Sequence, residues 1–148
     1  KEVDATLLAM AGIQRLNFAG SNILPFETDV MIPAAGQGAI GMVARTDDKE
    51  IIEIISDLNH IESFTCILAE RMVLQNFGGS CFQPIAAFAN FDDDGKITIN
   101  SMISNDDGTL HHNVKEYAQR DTVMDIAGDI GRRLLEYYDK SLKRTVNS

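Results

Sequence analysis

Residues 85–114 read IAAFANFDDDGKITINSMISNDDGTLHHNV, and this stretch decides the fold. Ile85, Ala87, Ala89 and Phe91 alternate on one face before the turn Asp92-Asp93-Asp94-Gly95. Ile97, Ile99, Ser101 and Ile103 alternate next, up to a second turn at Asn105-Asp106-Asp107-Gly108. Leu110, His112 and Val114 open a third run. Period-two runs joined by Asp-Gly turns predict an antiparallel three-stranded meander. Both acidic runs precede a glycine and read as solvated turns. A calcium loop would need a longer alternating ligand series ending in Glu.

Working outward, a helix is expected on each side of the meander. Asn59 with Glu62 resembles a capping box, and Ile61, Phe64, Leu68 and Met72 recur at helical spacing until Gly78-Gly79. Downstream, Asp121 is placed to cap a helix with Val123, Ile126, Ala127, Ile130 and Leu134 on its apolar face. Arg132, Arg133 and Lys140 near its end suit the negative pole of the helix. Gly128 and Gly131 each disfavour a helix by about 1 kcal/mol, which points to close packing against a neighbour. Two helices covering one face of the sheet make residues 59–148 an α+β unit. Its core is expected from Ile85, Ala87, Ile97, Ile99, Leu110 and Val114 against Phe64, Leu68, Ile126, Ile130 and Leu134.

Residues 1–58 do not close into a domain of their own. Asp4 to Ile13 is short and apolar, Leu24 to Pro33 reads as loop, and Gly36 to Arg45 as an extended glycine-rich stretch continuing as strand. Asp47 and Glu50 open a short helix with Ile51, Ile54, Ile55 and Leu58 on one face. These pieces carry apolar faces with no evident partner in the sequence. The start at Lys1, without an initiator Met, hints at a fragment.

Composition excludes several classes. A net charge of −9 opposes nucleic acid, whose phosphates need a basic face. No apolar run is long enough to span a bilayer. Only Cys66 and Cys81 are present, with no N-x-Ser/Thr acceptor, so a reducing cytoplasmic setting is expected. His60, His111 and His112 have no spacing that sets two ligands beside either cysteine, so no metal is expected. Gly36-Gln37-Gly38-Ala39-Ile40-Gly41 matches a dinucleotide fingerprint in letters. Pro33 breaks the approach, however, and strand rather than helix should follow, so glycines admitting a close backbone are the better reading.

Cys81 lies in Gly78-Gly79-Ser80-Cys81-Phe82-Gln83-Pro84-Ile85, where the helical pattern stops and the strand pattern begins. A thiolate there could hold a group covalently. The competing reading is a small buried hydrophobe, the commoner fate of a free cysteine. Cys66, between Phe64 and Leu68, reads as core. Arg15 could be surface charge or an anion clamp, and Arg45 is equally open.

Three motifs in order, spanning nearly the whole chain, carry a resemblance to one known family. Asp4 to Leu16 (DATLLAMAGIQRL) is similar to the family's D-A-x-x-L-A-x-A-G-L-x-R-L. Leu24-Pro25 with Pro33 to Gly41 (PAAGQGAIG) is similar to its L-P…P-A-x-G-Q-G-A-x-G. Ala69-Glu70-Arg71, then Gly79-Ser80-Cys81 with Pro84-Ile85, is similar to its A-E-R…G-G-C-x-x-P-I-G. Ser80 and Ala86 stand where the family has glycines; both are small, and the arm is expected to keep its shape.

The family these motifs resemble is porphobilinogen deaminase, and the resemblance implies a transferase of tetrapyrrole and heme biosynthesis. Such an enzyme condenses four porphobilinogen molecules into hydroxymethylbilane with loss of ammonia. It implies that Cys81 carries a dipyrromethane cofactor through a thioether, which turns the reading of Cys81 from hydrophobe to attachment point. It implies that Arg15 grips carboxylates of cofactor or substrate, that Gln37 lies in the cleft near the cofactor, and that Arg45 is scaffold. By the same resemblance, residues 1–30 end the second of three domains, 31–58 return to the first, and 59–148 form the C-terminal cofactor-carrying domain. The family's catalytic aspartate lies in the missing half, so no catalytic residue is assigned here. The complete enzyme is expected to be a cytoplasmic monomer. The 148-residue chain is expected to be inactive alone and prone to self-association through its bare apolar faces. The competing function is a non-catalytic interaction module on the same scaffold.

Overall fold

The structure is a computed structural model describing residues 3–18, 20, 22–78, 84–105, 108 and 111–146, the last five without their side chains. The elements run α1 (Met10–Arg15), α2 (Lys49–Ser56), α3 (Ile61–Phe77), β1 (Ile85–Phe91), β2 (Ile97–Ser104), β3 (His111–Ala118) and α4 (Val123–Val146). The chain divides into two compact units, Lys1–Met31 and Ile32–Ser148.

The three strands form an antiparallel sheet in the order β1-β2-β3. Ala87 faces Ser101 and Ala89 faces Ile99 across one ladder; Ser101 faces Val114 and Ile97 faces Ala118 across the other. The first turn forms as its sequence demands. Asp92 Oδ1 accepts hydrogen bonds from the backbone N–H groups of Asp94 (3.1 Å) and Lys96 (2.8 Å), and Gly95 takes φ 76°. That is Asx-turn chemistry with glycine in the left-handed region. Gly108 takes φ 72° in the second turn.

Helices α3 and α4 share one core with the sheet, built from Ala69, Val73 and Phe77, from Ala87, Ile97, Ile99 and Ile103, and from Val123, Ala127, Ile130 and Leu134. The α+β reading therefore holds. Gly131 marks a close approach of the two helices: a Cβ there would collide with the Val73 carbonyl oxygen and meet Asn76 Cβ at 2.8 Å.

Four local expectations are corrected. The buried stripe of α3 is Cys66, Ala69, Glu70, Val73 and Phe77, while Phe64 and Leu68 are exposed. The helix carries apolar residues around its whole circumference, so spacing alone could not say which stripe faces the sheet. Its N-cap is His60, whose side chain accepts from the Ser63 N–H at 3.3 Å, rather than Asn59. Asp48, rather than Asp47, caps α2 and accepts from the Ile51 N–H. Residues 39–45 form no strand, because no described segment lies alongside to complete a ladder. Leu110 falls outside the described residues.

Candidate functional site

Cys81 lies in sequence between the end of α3 and the start of β1, within residues 79–83, outside the described residues. Cys66 is buried on α3, as its position between apolar neighbours suggests. Burial first, then the nearby Glu70 charge, pushes the Cys66 thiol above its ordinary value of 9.0, with Glu62 adding a little and a hydrogen bond to the Phe91 backbone opposing. A thiol so held is a poor nucleophile at neutral pH.

Arg15 ends α1 in the first compact unit. It is exposed and makes no hydrogen bond or ion pair among the described residues. Arg45 is instead committed: its Nη2 sits 3.1 Å from Asp48 Oδ2, at the cap of α2. That pairing suits a scaffold role.

Gln37 sits on the glycine-rich turn of the second unit. Its backbone N–H donates to the Ala34 carbonyl at 3.0 Å, and its Oε1 accepts from the Ala34 N–H at 3.3 Å. Gly36 (φ 73°) and Gly38 (φ 85°) adopt the left-handed conformation on either side. The turn thus fixes the Gln37 carbonyl end, while its amide NH2 keeps no partner among the described residues. No helix opens after Gly41; the next begins at Lys49. The glycines serve a tight turn rather than a dinucleotide fingerprint.

Sequence reasoning missed Glu70 as more than a family letter. It is only 5% exposed, on the buried stripe of α3. One carboxylate oxygen, Oε2, accepts from the Gly36 N–H at 2.6 Å, and the other, Oε1, accepts from the Ala89 N–H on β1 at 2.9 Å. Burial raises its pKa above the ordinary 4.5, and the two backbone donors oppose the rise by favouring the charged form. A carboxylate interrupting the run Cys66, Ala69, Val73 was the available signal, since an acid on a core stripe needs partners. Ile32, four residues before Gly36, is the only buried residue among the described residues 3–58.

Among the described residues, no group of three or more His, Cys, Asp and Glu is placed to hold a metal ion, and no helix is long and apolar enough to cross a membrane. What remains is a compact α+β domain tied by the buried Glu70 carboxylate to a glycine-rich turn.

Two family profiles match this chain. "Porphobilinogen deaminase, dipyromethane cofactor binding domain" covers residues 1–53, and "Porphobilinogen deaminase, C-terminal domain" covers residues 64–137. The chain belongs to the porphobilinogen deaminase family. It is similar to the chloroplastic porphobilinogen deaminase of Pisum sativum, with 38% identity over 90% of this chain and 37% of the relative. It is also similar to the porphobilinogen deaminases of Chlorobium limicola (40% identity, 91% of this chain, 43% of the relative) and Sphingopyxis alaskensis (35%, 97%, 44%). The chain therefore spans less than half the length of these relatives.

Proposed function

We infer that this chain is the C-terminal part of a porphobilinogen deaminase, the transferase that condenses four porphobilinogen molecules into hydroxymethylbilane and releases ammonia. The observation that carries the reading is the pair of family profiles in the family's order, together covering most of the chain. Arg15 and Gln37 both fall in the region matched by the cofactor-binding profile, and Cys81 falls in the region matched by the C-terminal one.

The donor set suits a carboxylate-bearing pyrrole cofactor. Arg15 brings a guanidinium without a partner among the described residues, Gln37 an amide NH2 on a turn whose other end is fixed, and Cys81 the soft sulfur for a thioether. When bound, the dipyrromethane primes the condensation. This chain's own residues attach it, grip its carboxylates and hold the attachment arm on a rigid domain.

On this reading residues 1–30 close the second domain, 31–58 return to the first, and 59–148 form the cofactor-carrying domain. The bare apolar residues of 3–58 are then surfaces for the rest of the polypeptide. The complete enzyme is a cytoplasmic monomer acting on porphobilinogen, with no nucleic-acid or membrane partner.

The test is a complete polypeptide carrying this sequence. Its intact mass should exceed the chain mass by one dipyrromethane, Ehrlich's reagent should colour it, and peptide mapping should place the adduct on Cys81. Cys81→Ser should lose both adduct and turnover, and Arg15→Leu should slow chain growth through loss of a charge-assisted pair of about 1.5–3 kcal/mol. The 148-residue chain alone should give neither colour nor turnover. An adduct on Cys66, or full activity in Cys81→Ser, would overturn the assignment.

A further inference from the structure

Glu70 stands out because its two oxygens bond to backbone from distant parts of the sequence. Oε2 reaches Gly36, thirty-four residues earlier, and Oε1 reaches Ala89, nineteen residues later. Ala89 lies on β1, an outer strand of the sheet, where backbone donors facing away from the ladder need another partner. Gly36 can offer its N–H in this way because it stands in the left-handed region, at φ 73°, where a side chain would be strained. In sequence, Gly36 lies four residues after Ile32, the only buried residue among the described residues 3–58.

These bonds bracket the proposed site. Gln37 follows Gly36 directly, and β1 begins four residues after Cys81 in the sequence. We propose that Glu70 is a positioning residue: its carboxylate fastens the Gly36-Gln37 turn to the outer strand, so that Gln37 and the strand following Cys81 share one rigid frame. This rests on the deaminase reading for what the frame serves, but the fastening itself stands on the geometry alone. A carboxylate suits the task because it presents two acceptors and no donor to two N–H groups. Gln has the same shape but turns one acceptor into a donor, which would face an N–H. Asp is too short to keep both bonds.

The experiment uses the complete polypeptide with Glu70→Gln, Gln37→Ala and the double variant. Glu70→Gln is chosen over Glu70→Ala because it preserves volume in the α3 stripe, and thermal melting checks that it folds. Amide hydrogen exchange at Gly36 and Ala89 reads the fastening directly: at least one of the two should exchange about tenfold faster in Glu70→Gln. Porphobilinogen turnover should fall by about tenfold, as a misplaced cleft residue costs rate. In the Gln37→Ala background the same change should have little further effect, because residues acting through one another are non-additive. Unchanged exchange at both amides would overturn the fastening. An equal loss of turnover with and without Gln37 would overturn its action through that residue. A folded wild-type polypeptide that turns over no porphobilinogen would sink the deaminase reading, and the positioning role with it, while exchange would still decide whether the fastening exists.

Discussion

The helix–sheet domain and the segments before it treat apolar side chains in opposite ways. Ile97, Ile99, Ile130 and Leu134 are fully buried, whereas Val43 is 99% exposed, Ile40 89% and Leu16 80%. The buried apolar residues of the domain form one cluster drawn from α3, the sheet and α4. In residues 3–58 the faces are made but little covers them: α2 presents Ile51, Ile52 and Ile54 and buries none of its residues. A sequence can thus specify an amphipathic element without containing its partner. The domain's structure follows from its own contacts, while α1, α2 and the stretch 39–45 bury none of their residues.

The sharpest way to break that comparison is to truncate one residue of each kind. Leu134→Ala should destabilise the domain by about 2–5 kcal/mol, through lost burial and the cavity it leaves. Val43→Ala in the 148-residue chain should change stability by no more than about 0.5 kcal/mol. In the complete polypeptide, Val43→Ala should become destabilising once its face is covered. Denaturant unfolding of both variants in both contexts checks this, and a Val43 effect that is nil in both would show that the face stays open.

A smaller effect separates two glycines on α4. Gly131→Ala should cost about 1–3 kcal/mol, because its methyl would press on the Val73 backbone, which cannot yield without moving α3. Gly128→Ala meets only the flexible ends of Arg132 and Asn76, at 3.5 Å, so the helix-propensity gain of up to about 1 kcal/mol should prevail. Opposite signs in thermal melting are expected. A destabilising Gly128→Ala of similar size would mean that the two helices pack closely along more of their length.

How much could be read in advance follows the same division. The strands and their facing were legible because Asp92 and Gly95 build a turn from purely local chemistry, and period two then assigns Ala87, Ala89, Ile97 and Ile99 to one face. The stripe of α3 was not legible, since Phe64 and Leu68 are as apolar as Val73 and only tertiary packing chooses between them. The stretch 39–45 reads as strand by composition but has no neighbour to pair with among the described residues. The proposed site residues Arg15, Gln37 and Cys81 came from ordered motifs rather than from any local rule. Glu70 was in one of those motifs, yet its role depends on Gly36 and Ala89 arriving at one carboxylate, which no spacing encodes.

The smallest effect concerns the pH dependence of stability and bears on Glu70, which bonds to both of the regions being compared. Burial lifts the Glu70 pKa above 4.5, and the Gly36 and Ala89 donors only partly offset it. A carboxyl with a raised folded-state pKa takes up a proton on folding. Its contribution to stability is therefore fully present below about pH 4.5 and is lost as pH rises through the folded-state value. Glu70→Gln has no such proton, so the wild type should gain stability relative to this variant as the pH is lowered from about 8 towards 5. Melting temperatures of the two across that range read the slope directly. A slope of the opposite sign would mean that the two N–H donors outweigh burial and that the group is held as a carboxylate. The fastening would then strengthen with rising pH and weaken on acidification.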